Sequence, residues 1–277
     1  MKDGTASRTA RSVAAHRLEY ARVAADYGDL AADEALTADV AGGLPPNHNR
    51  MHEYLRGRTA FFDRAVVDSI DAGLRQVVIG GAGYDGRALR YARPGVRWFE
   101  VDHPATQADK LERLTRLAID TRHIRFIPAD FTTDPIAAPL IAAGLDAARP
   151  ALFLLEGVAV YLDQPVLERV LSEFRAVSAV GDQLAISVSV ATSTSQTRAL
   201  FQDRVAALGE PARSEFSQDQ ARELLAATGW ALRDGTERQQ DLGLLVARAI
   251  QGGQLAGVRI IRPSPLGVGM SRTWVQQ

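Results

Sequence analysis

QVVIGGAGYDGRALR, residues 76–90, is the stretch on which the fold turns. Val77, Val78 and Ile79 run straight into glycines, and helical text resumes at Gly86. A short apolar run without alternation suits a strand buried on both faces. Gly81, Gly83 and Gly86 spell GxGxxG between that strand and that helix. Glycine at such a junction lets the backbone turn tightly and lets a ligand approach with no Cβ in the way. As a lone pattern it serves equally well to end a strand.

Outward from this stretch the texture repeats. VRWFEVD (96–102), IRFIPAD (124–130), ALFLLEG (151–157) and QLAISVSV (183–190) are further short apolar runs. Helical text separates them at 86–91, 105–120, 134–143 and 165–180. Strand starts fall 20 to 32 residues apart, the length of a βαβ unit. The alternation predicts a doubly wound, mostly parallel α/β sheet. Upstream, residues 6–27 read as an amphipathic helix and 28–50 as helix fragments and a loop. A helix over 52–72 carries Phe61, Phe62, Ala65, Val66 and Ile70 on one face, and Gly73 stops it. Downstream, 198–208 and 218–228 read as helices and WALRD as a strand; LGLLVARAI and AGVRII compete for the last strand.

Composition narrows the classes. The 277 residues are 46% apolar and 23% charged, with a net charge of −1. This excludes a disordered chain and argues against a nucleic-acid-wrapping protein. The absence of cysteine removes disulfides, thiolate nucleophiles, iron–sulfur clusters and cysteine-ligated zinc. No run has the length of a signal peptide core or a membrane span, so a cytoplasmic location and no membrane partner are expected.

In open α/β sheets ligands bind beyond the carboxyl ends of the strands. The residues there are Gly80 to Gly86 after the first run, Glu100, Asp102 and His103 after the second, Asp130 and Phe131 after the third, and Glu156 and Gly157 after the fourth. A glycine loop with an acid about 20 residues on points to an adenosine-type ligand gripped at its ribose. A nicotinamide dinucleotide and S-adenosylmethionine compete. Asp130 can accept from an adenine amino group, a habit of methyltransferase sites. Asp85 at the helix start would repel a diphosphate but tolerate a sulfonium ligand, although it could equally be a plain N-cap.

RGRTAFFD, RQVVIGGAGYDGRALR, FEVDHPATQADK, IPADF and LEGVAVYL, with GTASRTARSVAAHRLEYA ahead of them, resemble the leucine carboxyl methyltransferase-like family of S-adenosylmethionine-dependent enzymes, and its actinobacterial small-molecule branch in particular. The resemblance spans roughly residues 5–235. It implies a class I methyltransferase fold, Rossmann-like, with an N-terminal helical cap or lid over 1–72 and one catalytic core over 73–277. It implies that Arg58 holds the cofactor's methionine carboxylate, that Gly81, Ala82 and Gly83 line the loop beneath the methionine part, and that Asp102 binds the ribose. Asp130 and Phe131 would bracket the adenine, the family having leucine at the second position, and Glu156 would face the amino group.

His103 is a candidate general base and Tyr161 a candidate acceptor contact. His48 and His52 lie on the cap, and no tight ligand spacing predicts a metal. The expected reaction is methyl transfer from S-adenosylmethionine to a carboxylate or hydroxyl oxygen of a small metabolite. The alternatives are an NAD(P)-dependent oxidoreductase and a cofactor-binding protein that transfers no methyl group.

Overall fold

The computed structural model describes residues 8–44, 48, 50–190, 213–233 and 243–250. Three helices come first: α1 (Arg8–Arg17), α2 (Leu30–Ala41) and α3 (Arg50–Asp71). Then β1 (Gln76–Gly80), α4 (Arg87–Arg90), β2 (Arg97–Asp102), α5 (Pro104–Arg116), β3 (Ile124–Pro128), α6 (Ala137–Ala142) and β4 (Leu152–Leu155) alternate. A 3-10 turn at Ala159–Tyr161 leads to α7 (Gln164–Ala176) and β5 (Gln183–Ser187); α8 (Gln218–Ala227), β6 (Trp230–Leu232) and β7 (Leu244–Ala249) follow.

The strands form one sheet in the order β3-β2-β1-β4-β5-β7-β6. The first five are parallel, and β7 runs antiparallel between β5 and β6. The mostly parallel doubly wound sheet expected from the sequence is therefore present. LGLLVARAI supplies β7; AGVRII lies outside the described residues, as does the helix expected over 198–208.

Strand side chains alternate between two cores, so both sheet faces are covered. Val78, Phe99 and Phe153 point to one, packed by Leu167, Leu171 and Phe174 of α7 and by Leu224 of α8. Val77, Ile79 and Trp98 point to the other, packed by Phe62, Val66 and Ile70 of α3 and by Leu36 and Val40 of α2. The N-terminal helices thus share one apolar cluster with the sheet.

Local chemistry sets the helix limits. Asp29 caps α2 by accepting from the Ala32 N–H at 2.9 Å, and Gly42 ends it in the left-handed region at φ 57°. Ser217 and Gln220 form a reciprocal capping box on α8. The helix expected over 6–27 stops at Arg17. Tertiary bonds win over propensity there: the Tyr20 hydroxyl donates to the His52 carbonyl at 3.0 Å, and the Tyr91 hydroxyl donates to the Val23 carbonyl at 3.0 Å. Among the described residues no helix is long and apolar enough to cross a membrane.

Candidate functional site

All the strand-end residues gather at the carboxyl edge of the parallel strands, beneath α1 and α3. β1 breaks at Gly81, whose φ of 64° suits glycine, and a Cβ there would lie 2.2 Å from Val158 Cγ2. The N–H groups of Gly81 and Ala82 both donate to the Val101 carbonyl, at 2.8 and 3.2 Å, which folds the loop back over the end of β2. Gly86 has a different reason. A Cβ there would stand 1.7 Å from Asp33 Oδ1 on α2, so the third glycine of GxGxxG makes room for a cap carboxylate.

Asp102 ends β2. Its carboxylate accepts from the Gly83 N–H and, at 2.6 Å, from the His103 N–H. Burial raises its pKa against those two bonds. His103 N-caps α5, its Nδ1 accepting from the Ala105 N–H at 3.2 Å. Asp130 follows β3 and accepts from the Thr132 N–H and hydroxyl at 2.8 and 2.7 Å. Burial would raise its pKa, but the Thr132 bonds win and lower it. The Phe131 ring is only 7% exposed and sits in the apolar core, so packing, rather than open stacking, occupies most of its surface. Arg169 of α7 fixes this loop, donating to the Phe131 carbonyl and, at 2.9 Å, to the Asp134 carbonyl.

Glu156 follows β4 and is the hub of a buried ionic cluster. Its carboxylate accepts from Arg58 Nε on α3 at 3.0 Å, from Arg17 Nη2 on α1 at 3.0 Å, and from Arg87 Nη1 on α4. Burial alone would raise its pKa; Arg87, Arg17 and Arg58 together hold it well below the usual carboxylate range. The Arg58 guanidinium lies 5.7 Å from the Tyr54 ring centroid, and a Cβ on Gly157 would meet its Nη1 at 2.9 Å. The Tyr161 phenol also lies within electrostatic range of Arg58.

The cluster extends inward. Arg87, fully buried, donates from Nε to Asp63 at 2.7 Å and from Nη1 to Asp85 at 2.5 Å. Asp63 also takes two bonds from Arg22, at 2.6 and 2.9 Å. Arg22 reaches Asp33 at 3.2 Å, and Arg90 pairs with the same carboxylate. Buried charges in so dry a setting demand this mutual pairing. Asp85 is paired with Arg87, which it shares with Asp63 and Glu156, and stands 3.7 Å from Arg17.

The sequence reading thus brought Arg58, Gly81, Ala82, Gly83, Asp102, Asp130 and Glu156 to one edge. It missed Arg17, Arg22, Asp33, Asp63 and Arg87. One signal was available: Asp63 sits on the apolar face of α3 beside Phe62, Val66 and Val67, where a solvated carboxylate would be out of place.

The family described as leucine carboxyl methyltransferase matches residues 3–175. A Mycobacterium sp. (strain JLS) protein provisionally named an S-adenosyl-L-methionine-dependent methyltransferase is 38% identical over 161 residues, covering 57% of this chain and 51% of the relative. One of the same name from Mycolicibacterium paratuberculosis (strain ATCC BAA-968 / K-10) is 35% identical over 211 residues, covering 70% and 66%. The chain spans about half the length of several curated relatives it matches. Among solved structures, a protein of Thermobifida fusca YX, provisionally described as a methyltransferase, superposes with a TM-score of 0.61 at 19% identity over 90% of this chain and 96% of that one. A protein of Streptomyces avermitilis ma-4680 gives 0.59 at 19% identity over 90% and 99%. These two likenesses concern the fold.

Proposed function

The chain belongs to the leucine carboxyl methyltransferase family, and on that premise we propose that it is an S-adenosylmethionine-dependent methyltransferase acting on a carboxylate or hydroxyl oxygen of a small metabolite. The observation that carries this is the meeting of Arg58 and Glu156 at 3.0 Å, on the same sheet edge as Asp102 and Asp130. A guanidinium beside a carboxylate suits a zwitterionic amino-acid head. Asp102, pre-aimed by two N–H groups, suits a ribose diol, and Asp130 suits an adenine amino group. When bound, S-adenosylmethionine supplies an electrophilic methyl group. The protein's part is then to place the acceptor in line and exclude water.

A general base is needed only for a hydroxyl acceptor. His103 accepts at Nδ1, which in the neutral ring leaves the proton on Nε2 as a donor. That favours a role in holding an oxygen over removing a proton, and so an acceptor that arrives ionised. Tyr161, near Arg58, is the second group we assign to the acceptor side.

Calorimetry with S-adenosylhomocysteine and with NAD tests the reading: heat with the first and none with the second is expected, and the reverse overturns it. Asp102→Ala should weaken S-adenosylhomocysteine binding by roughly ten- to a hundredfold, the loss of charge-assisted bonds worth about 1.5–3 kcal/mol. Unchanged affinity in a folded variant would remove Asp102 from the site.

We also propose that the segment over 1–72 acts as a lid. Ala10 of α1 lies 3.4 Å from where a Cβ on Gly83 would stand, and Arg17 of the same helix grips Glu156. A cofactor reaching Glu156 has to share it with α1. The loop at 42–46 would serve as its hinge; it is described through Leu44, with Gly42 and Gly43 both at positive φ, and Pro45 and Pro46 lie outside the described residues. Limited proteolysis around Gly42–Leu44 is expected to slow when S-adenosylhomocysteine is added. Equal rates would make α1 and α2 static packing.

A further inference from the structure

We propose that Glu19, His48 and His52 form a divalent transition-metal site, with zinc as the type ion, that ties the end of α1 to the start of α3. One donor atom from each of the three lies within 4.8 Å of the others. Glu19 sits in the turn just after α1, His52 in the first turn of α3, and His48 four residues ahead of it. Two imidazoles at this spacing and one carboxylate make a borderline-soft donor set that suits zinc, with a water completing the tetrahedron.

The sequence alone hides the third ligand, because Glu19 is 29 residues from His48. The fold brings them together: His48 Nε2 stands 2.6 Å from Glu19 Oε2, and the rings of His48 and His52 meet edge to face with centroids 4.7 Å apart. Tetrahedral ligands about 2.0–2.1 Å from zinc stand roughly 3.4 Å from one another. Closing on an ion therefore takes about an ångström of movement. Glu19 and His48, with side chains 42% and 64% exposed, are free to make it.

A surrounding shell is already built. His16, 5% exposed, meets His52 Nδ1 to Nδ1 at 3.0 Å, and Tyr20 donates to the His52 carbonyl. A ligating imidazole is oriented in this way, by a partner on its other nitrogen. Among the described residues, the hydrogen bonds to Glu156 come from Arg17, Arg58 and Arg87 and from none of these.

The test uses the untagged full-length chain without cofactor. Calorimetry with zinc chloride is expected to show one site, and cobalt(II) to give the visible absorption of a tetrahedral complex. His48→Ala and Glu19→Gln change exposed side chains, so the fold stays intact. Each should weaken zinc binding at least about tenfold, and His16→Phe by ~10–100-fold through the lost orienting bond. Zinc should raise the melting temperature of the unaltered chain and not that of His48→Ala. No zinc heat overturns the proposal. So does equal affinity in His48→Ala. S-Adenosylhomocysteine affinity is expected to be the same in His48→Ala and Glu19→Gln, whose side chains are exposed, so the site stands or falls apart from the methyl-transfer reading.

Discussion

Asp63→Ala is expected to lower unfolding stability by about 3–5 kcal/mol, the range for removing one partner of a buried ion pair. Asp63 is wholly buried and accepts from both Arg22 and Arg87. Without it, Arg22 loses two bonds and, among the described residues, keeps its 3.2 Å contact with Asp33, and Arg87 loses its Nε partner. Denaturant unfolding of the variant checks this. A cost below about 1 kcal/mol, typical of surface pairs, would mean the cluster is wetter than the structure shows. Combining Asp63→Ala with Arg22→Met should recover part of the loss, since the unpaired charge goes with its partner. The same residue sets an acid limit. Burial pushes its carboxyl up, but Arg87 and Arg22 prevail and bring it to about 2. A carboxyl depressed in the folded state contributes stability above its unfolded pKa of ~3.9 and loses it as pH falls through the folded value. The unaltered protein should therefore weaken between roughly pH 4 and pH 2, and Asp63→Ala should lack that contribution.

Glu156→Gln should strike both fold and site. Three guanidiniums, from Arg17, Arg58 and Arg87, lose the negative charge they share. Stability is expected to drop by several kcal/mol, of the order of a broken buried pair. S-Adenosylhomocysteine affinity is expected to fall at least about tenfold, as a charge-assisted bond to its ammonium is lost. A truncated ligand separates the two effects. 5′-Methylthioadenosine has the adenosine part and no amino-acid head. Its affinity should be the same in Glu156→Gln and the unaltered protein, yet fall in Asp102→Ala. If Glu156→Gln weakens both ligands alike, Glu156 supports the fold and does not hold the head group.

The strands were legible because a buried parallel sheet imposes a local signature. Val77, Val78 and Ile79 have apolar neighbours on both faces, so the sequence around them needs no alternation. Asp102, Asp130 and Glu156 were legible for a related reason: a strand end is a position the sequence itself marks. The arginine partners were not. Arg17, Arg22 and Arg87 look like solvated charges until the chain is folded, and their partners lie 139, 41 and 24 residues away in Glu156 and Asp63. The early end of α1 was hidden likewise, because bonds at Tyr20 and Val23 that decide it belong to α3 and to the chain after α4. GxGxxG was recognised for a partly wrong reason: two of its glycines shape the loop, while Gly86 gives way to Asp33.

The place of β7 has a consequence during synthesis. β5 pairs on one side with β4 and on the other with β7, and β6 touches the sheet only through β7. When Ser187 leaves the ribosome, the free edge of β5 has no partner until residues 244–249 emerge, after the intervening 188–243. At ~5–20 residues per second that interval lasts several seconds. Leu184, Ala185 and Ile186, fully buried in the finished protein, meanwhile border an unpaired strand edge, the kind of surface on which nascent chains associate wrongly. A nascent chain arrested before Leu244 should therefore bind holdase chaperones more strongly than one arrested well beyond Ala249.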